Sequence, residues 1–356
     1  MSKTILITGG AGFVGSNLAV LLKARHPDFS VIALDNMKRQ GSELNLERLR
    51  KHEIIFMHGD IRNKEDLSFD DKGISLIIES SAEPSVLAGY NSSTEYVINT
   101  NLMGTVNCLE LARKKKADII YLSTSRIYPI KQLSEININE EETRFTIADD
   151  QDISGVTSKG ISETFPLDGA RSLYGTTKLA SELIIQEYIE MFGLRATINR
   201  CGVIAGPWQM GKIDQGVFTY WMFGHYFNKS LDYIGFCGMG KQVRDLIHIE
   251  DLFELIDLQL CRMSDFNGNI YNVGGGNKCS LSLLETTQLC REITGNKIEM
   301  GKIEENREMD VRIYISDNSK VQKDTGWLIK KAPRDILCDI YTWIRDNDRI
   351  LEKVLL

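Results

Sequence analysis

The chain has no cysteine pair at CxxC spacing, and its seven cysteines (Cys108, Cys201, Cys237, Cys261, Cys279, Cys290 and Cys338) are odd in number. That pattern argues against a disulfide framework and fits buried, reduced thiols in a reducing compartment. Positive charge is not in excess: 42 Lys and Arg stand against 49 Asp and Glu, a formal charge of −7. Nucleic acid and anionic membrane are therefore poor main partners, and an anionic ligand would need local cations. No apolar run reaches membrane-spanning length, and Met1 leads into strand-like TILIT with no signal-peptide core. A cytoplasmic protein with no membrane partner is expected. Internal repeats and low-complexity segments are absent too.

What is present is ordinary in bulk and specific in pattern. The chain has 356 residues, with 42% hydrophobic and 26% charged residues, as in a soluble globular protein. That length predicts one large domain and a smaller one. Strand candidates lie at 4–8, 30–35, 54–60, 76–81, 119–124 and 195–200. Helical patterns such as NLAVLLKARH, NLMGTVNCLELARKKK and KLASELIIQEYIEMFG lie between them. Apolar strands alternating with helices predict a parallel sheet covered on both faces. Past residue 204 the alternation weakens into Gly-rich turns (GFCGMGK, NVGGGNK) and a helical end.

TILITGGAGFVGSNL sets Gly9, Gly12 and Gly15 at GxxGxxG spacing, directly after a strand and opening a helix. Glycine there permits a tight turn and close approach to a pyrophosphate, and the helix start attracts the anion. Asp35 ends the second strand, twenty residues after Gly15. A carboxylate at that point accepts from ribose hydroxyls and repels a 2′-phosphate, favouring NAD, while Lys38 and Arg39 leave NADP open. Asp60 and Ile61, after the third strand, would lie near the adenine. The expected fold is α/β: a Rossmann-type, doubly wound parallel sheet in a domain over 1–203. A smaller α/β substrate-binding lobe follows over 204–356, with segments near 244–270 packing back onto the first domain.

SLYGTTK places Tyr174 and Lys178 one helical turn apart, so both side chains point the same way. Such a pair is often just a solvated helix face. Here the preceding strand IIYLST ends in Ser123-Thr124, where a parallel sheet offers hydroxyls to its ligand crevice. With Lys178 and a cationic nicotinamide near it, the Tyr174 phenol would ionise well below its ordinary range of about 10. Tyr174 could then take a proton from a sugar hydroxyl while Thr124 holds the same oxygen.

GGAGFVG, Asp35, Asn101 in NLMGT, Ser123-Thr124 and YGTTK together resemble the extended short-chain dehydrogenase/reductase family acting on nucleotide-diphosphate sugars. DNMKRQGSELNLERL, HGDIRN, STSRIYP, EETRF, GKQVRD and YNVGGGNKCSLSLLE are similar to its CDP-paratose (CDP-tyvelose) 2-epimerase branch. The resemblance implies that Thr124, Tyr174 and Lys178 are catalytic. It assigns Phe13, Val14, Asn36, Ser81 and Asn101 to the cofactor, beside Gly9, Gly12, Gly15, Asp35, Asp60 and Ile61. It further implies that Arg244 and Arg307 clamp the diphosphate, as guanidinium forks suit phosphate oxygens, and that Asp310 accepts from the nucleotide ribose. Surface salt bridges are the plain alternative for both arginines. No metal is implied, and a homodimer is.

Departures from the family pattern narrow the reaction. Glu79 stands where relatives often carry His, and Val203 where many sugar-nucleotide enzymes carry Asn. Ser125 and Arg126 follow Thr124, where related 4,6-dehydratases carry Asp-Glu and related decarboxylases keep the Glu. Elimination is thereby disfavoured, leaving oxidation, inversion and reduction at one centre: an NAD-dependent epimerase, with C2 of a CDP-3,6-dideoxyhexose favoured and C4 of another nucleotide sugar open. A non-catalytic dinucleotide sensor is disfavoured because Tyr174 and Lys178 are both kept. Cys201 and His225 read as a buried thiol and a structural imidazole. The fifty residues between Thr124 and Tyr174 read as a lid or wall around the sugar, or as a solvated excursion.

Overall fold

The computed structural model describes residues 3–69, 73–90, 92–211 and 215–355. By internal contacts the chain divides into two units of comparable length. The first holds Met1–Ile127, Leu173–Arg200 and Leu252–Tyr271; the second holds Tyr128–Ser172, Cys201–Asp251 and Asn272–Leu356. A single cut near 203 does not describe this division, and the second unit is not the smaller one. Leu252–Tyr271 belongs to the first unit, while 244–251 stays in the second.

The first unit is built on a seven-stranded sheet. Its strands are β1 (Thr4–Thr8), β2 (Ser30–Asp35), β3 (Ile55–His58), β4 (Ile74–Glu79), β5 (Asp118–Thr124), β6 (Ala196–Cys201) and β7 (Ile270–Val273). The sheet order is β7-β6-β5-β4-β1-β2-β3, and the pairs from β3 through β5 run parallel. The order reverses at β1, with chain crossing to β2 on one side and β4 on the other; open α/β sheets bind ligands at such a reversal. Six of these strands coincide with apolar runs in the sequence; β7, short and running into glycines, was not among them.

Three helices matter for the site: α1 (Phe13–Arg25), α2 (Gly104–Lys115) and α3 (Leu173–Phe192). The inner faces of α2 and α3 and the sheet bury Leu6, Ile32, Ile77, Leu109, Ile119, Ile185 and Ile198 in one apolar cluster. Side chains of that size each contribute about 1.5–3 kcal/mol when fully buried, enough to fix the helices against the strands.

In the second unit the strands Val203–Ala205, Val243–His248, Ser280–Ser282 and Ile313–Tyr314 form a four-stranded mixed sheet. The segment between Thr124 and Tyr174 is folded into this unit. It makes two hairpins, Ile138–Glu140 with Phe145–Ile147 and Val156–Thr157 with Gly160–Ile161. Ile138 and Ile147 pack on Val243, Ile313 and Ile315, and Ile161 bridges to Ser316. The Tyr128 hydroxyl donates to Asn272 Oδ1 at 2.7 Å and its ring stacks on Tyr314. These contacts make the segment a packed wall of the unit, not a solvated excursion.

Candidate active site

Side chains do not fit in the turn from β1 to α1. Gly9 has φ +64°, and a Cβ on it would stand 3.1 Å from the Ser81 Cα, so the turn lies directly against the segment after β4. A Cβ on Gly15 would meet the Gly9 carbonyl oxygen at 2.2 Å, so α1 can approach the turn only with glycine there. Helix α1 starts at Phe13 with Gly12 as its cap; no side-chain oxygen caps it and its first turn has no acidic residue. A helix start without a capping oxygen leaves amide donors for an anion. The Gly12 amide closes the turn on the Gly9 carbonyl, so Phe13, Val14 and Gly15 at the helix start are the amides that could hold a pyrophosphate beside Gly9 and Gly12.

The carboxylate after β2 is tied to the same turn. Asp35 Oδ2 accepts from the Ala11 amide at 3.0 Å and Oδ1 from the Met37 amide at 2.8 Å. Burial raises the Asp35 carboxyl above its ordinary range, against the pull of these amides. Asn36 donates to Asp60 Oδ2 at 2.9 Å, and Arg62 pairs with the same oxygen at 2.6 Å. Burial alone would raise the Asp60 carboxyl, but Arg62 and Asn36 outweigh it and hold it down to about 2. Lys38 and Arg62 both stand over the Tyr96 ring. Ile61 is seated by Gly104, whose Cβ would come within 2.4 Å of the Ile61 Cδ1.

Asn101 lies in a π-helical turn, Asn99–Met103, that leads into α2. Such bulges occur often at functional sites. Its Oδ1 accepts from the Glu83 amide, and its Nδ2 donates to the Glu83 carbonyl and to Thr177 on α3. This amide brackets the loop after β4 to the helix that carries Tyr174.

Helix α3 packs on the end of β5 and on the turn Ser125–Ile127. Tyr174 and Lys178 lie one turn apart on its buried side, and Thr124 ends β5 in the same unit. Thr124 Oγ1 accepts from the Arg126 amide at 3.2 Å. The Lys178 ammonium sits 4.1 Å from the centre of the Tyr121 ring and 3.9 Å from Glu79. Ser123 does not share the role expected of the hydroxyl pair. Successive strand residues face opposite ways, and its hydroxyl donates inward to Glu182 Oε1 at 2.5 Å. Glu182 in turn holds Arg200 in a fork, with Nη2 at 2.8 Å and both residues almost wholly buried. Sequence reading missed this network, because Lys178 and Glu182 at four-residue spacing look like any exposed helix pair.

In the second unit the structure brings Arg244 and Asp310 together at 2.5 Å, with Arg244 also donating to the Val243 and Val311 carbonyls. The Arg307 carbonyl accepts from the Asp310 amide. Cys201 is buried, and His225, also buried, has its imidazole lowered by that burial and its Nδ1 beside the Asn296 carbonyl. Among the described residues, His26, Asp257 and Cys261 come close enough to share an ion, but Asp257 is taken up by His26 and Arg25.

The model of the "NAD dependent epimerase/dehydratase family" matches residues 5–274. The chain belongs to the NAD-dependent epimerase/dehydratase family. Its cofactor is NAD, in keeping with the pyrophosphate cradle and Asp35. The chain is 33% identical to a CDP-paratose 2-epimerase from Salmonella typhi over 95% of this chain and 98% of that one. It is 26% identical to a UDP-glucose 4-epimerase from Erwinia amylovora over 97% and 98%. Its fold matches that of a dTDP-glucose 4,6-dehydratase from Streptomyces venezuelae crystallised with NAD, with a TM-score of 0.77, 25% identity, and coverage of 99% and 100%. No helix among the described residues is long and apolar enough to cross a membrane.

Proposed function

We propose that this family member is a nucleotide-sugar epimerase that inverts C2 of a CDP-3,6-dideoxyhexose through a transient keto sugar, in the making of surface polysaccharide. The observation that carries the reading is the turn after Thr124. Thr124, Tyr174 and Lys178 are kept together in the first unit, while the two positions that would carry an eliminating acid pair hold Ser125 and Arg126. Without a carboxylate there, loss of water from the keto sugar has no general acid and base. Inversion at one centre remains.

Bound NAD would supply reversible hydride acceptance at the sugar carbon, with the hydride returned to the opposite face. Tyr174, as phenolate, takes the hydroxyl proton from the oxidised carbon and gives it back on reduction. Thr124 donates a hydrogen bond to the same oxygen and keeps it in line with the phenol. Lys178 favours the phenolate by its charge and holds the ribose next to the ring. Gly9 through Gly15 bind the pyrophosphate, Asp35 the adenosine ribose, Asn36, Asp60 and Ile61 the adenine side, and Ser81 and Asn101 the segment beside the nicotinamide. Arg244, held in place by Asp310, and Arg307 take the sugar's diphosphate. The apolar side chains exposed on and before the two helices, Ile98, Met103 and Leu183, support a homodimer, and cysteines that form no disulfide among the described residues support a cytoplasmic site.

The test is to incubate the NAD-bound protein with CDP-paratose or CDP-tyvelose and follow the two C2 epimers by NMR. Approach to one equilibrium ratio from both sides is the expected result. Inversion at C4 of a UDP-hexose with no C2 exchange would replace this reading with its nearest alternative, which the likeness to the Erwinia 4-epimerase supports.

A further inference from the structure

Glu79 is the last residue of β4 and is 1% exposed, and its carboxyl reaches Lys178 on the helix that carries Tyr174. Its strand register sets it beside Thr8 on β1 and Tyr121 on β5. Neither oxygen accepts a well-formed hydrogen bond among the described residues, although the Ser81 amide and the Thr105 hydroxyl lie near enough to favour the anion. Its nearest charge is the Lys178 ammonium at 3.9 Å, itself 2% exposed. A carboxyl so poor in hydrogen bonds is costly to bury, and packing alone would be better served by leucine. The ammonium next to it is buried as deeply, and it stands 4.1 Å from the centre of the Tyr121 ring on the same side.

We propose that Glu79 is the positioning residue of the Tyr174–Lys178 couple: its carboxylate anchors the Lys178 ammonium from the sheet side and opposes the pull of that ammonium on the Tyr174 proton. The inference rests on the reading of Tyr174 as the base. Two charges 4 Å apart in a dry interior interact several times more strongly than in water. A carboxylate under the ammonium therefore both fixes its place and offsets part of its field at the phenol. The titratable groups facing Glu79 are Lys178 from α3, Tyr121 from β5 and Cys108 from α2, and Glu182 acts on Tyr121. Burial pushes both Cys108 and Tyr121 upward, so neither ionises near neutral pH. Burial likewise lifts the Glu79 carboxyl to about 7, with Lys178 pulling it down. The counter-charge under Lys178 thus changes over the range in which the enzyme operates.

The experiment compares Glu79→Gln, which keeps shape and drops charge, with Glu79→Asp, which keeps charge. Two readouts are taken on the NAD-bound protein. One is the pH dependence of the epimerisation rate. The other is the ultraviolet absorbance of ionised tyrosine, assigned to Tyr174 by difference from Tyr174→Phe. With the opposing charge gone, Lys178 acts on the phenol undivided. The rising limb and the Tyr174 titration should then move together to lower pH by about 0.5–1 unit in Glu79→Gln. Glu79→Asp should return both toward wild type, and KM should change less than kcat. If Glu79→Gln does not fold, Glu79→Leu replaces it, since leucine suits the buried site and carries no charge, and the same downward shift is expected. Profiles and titrations superimposable on wild type in the charge-free variant would overturn the inference, leaving Glu79 a packing residue. Tyr174→Phe running at wild-type rate would overturn the proposed function itself. An inactive Tyr174→Phe beside an unshifted Glu79 variant would sink only the role of Glu79.

Discussion

Arg200→Met is the perturbation whose size the structure fixes best. Glu182 receives the Arg200 guanidinium at 2.8 Å through Nη2 and at 3.1 and 3.2 Å through Nε. Arg200 is 4% exposed and Glu182 1%, so water cannot replace the lost partner. Methionine keeps the length of the stem and leaves a buried carboxylate with only the Ser123 hydroxyl. Breaking a buried pair from one side costs about 3–5 kcal/mol, against about 0–1 kcal/mol for an exposed pair. For a unit of this size that lowers Tm by about 6–20 °C. Differential scanning calorimetry of the NAD-bound protein reads it directly. The double variant Arg200→Met, Glu182→Leu removes both charges and should recover most of the loss, because an apolar pair of like volume is often as stable as the ion pair. It would still leave the Ser123 hydroxyl without an acceptor, a residual cost of about 1–3 kcal/mol that Ser123→Ala removes. A single variant within about 1 kcal/mol of wild type would refute the reasoning, since the pair would then behave as a solvated one.

Tyr174→Phe should retain NAD and lose about 10²–10⁴ in epimerisation rate, with Thr124→Val losing less; a rate within about twofold of wild type would refute the base assignment. Lys178→Met should lose bound NAD in gel filtration as well as rate, because the same ammonium serves ribose and phenol. NAD should co-purify and survive turnover unreduced, and reduced nicotinamide accumulating in step with product, seen by absorbance, would point to a dehydrogenase instead. Between about pH 4.5 and 7 folded Glu79 keeps a proton that the unfolded chain has released, so stability falls as pH rises through that window. Unfolding free energies from denaturant titration should therefore drop from pH 5 to 7.5 by up to about 3 kcal/mol more in wild type than in Glu79→Gln, and parallel curves would contradict the raised carboxyl.

The parts of the site that lie close together in the chain were legible in it. Gly9, Gly12 and Gly15 with Asp35 announce a turn, a helix start and a strand end, all set by local backbone demands. The strand at 4–8 and that at 30–35 were placed to the residue, since a fully buried parallel strand is a short, bounded apolar run. What stayed hidden depends on partners far away in sequence. Ser123 and Thr124 look alike as residues, and only the pleat together with Glu182 and Arg200 separates the inward hydroxyl from the one that accepts from the Arg126 amide. The 128–172 segment reads as a loop because its hairpins are two or three residues long and find their partners at 243, 313 and 316. Asp310 was read as a ribose acceptor from its neighbourhood to Arg307, and its pairing with Arg244 crosses 66 residues.

Membership of the fold leaves the reaction open, since one Rossmann-type frame serves epimerases and dehydratases alike. The choice falls on a few charges at the ends of β4 and β5. A dehydratase would need a carboxylate in the turn after Thr124; this chain has Ser125 and Arg126 there, and two of its buried carboxylates, Glu79 and Glu182, lie beside the buried face of α3 instead. Placed there they cannot reach a substrate hydrogen, but they can hold Lys178 and the end of β5 in register with Tyr174. A redox-neutral inversion asks for little more than that. The same phenol must take a proton from one oxygen and return it to that oxygen, once each per turnover, so the position and charge of its neighbours matter more than any additional acid or base.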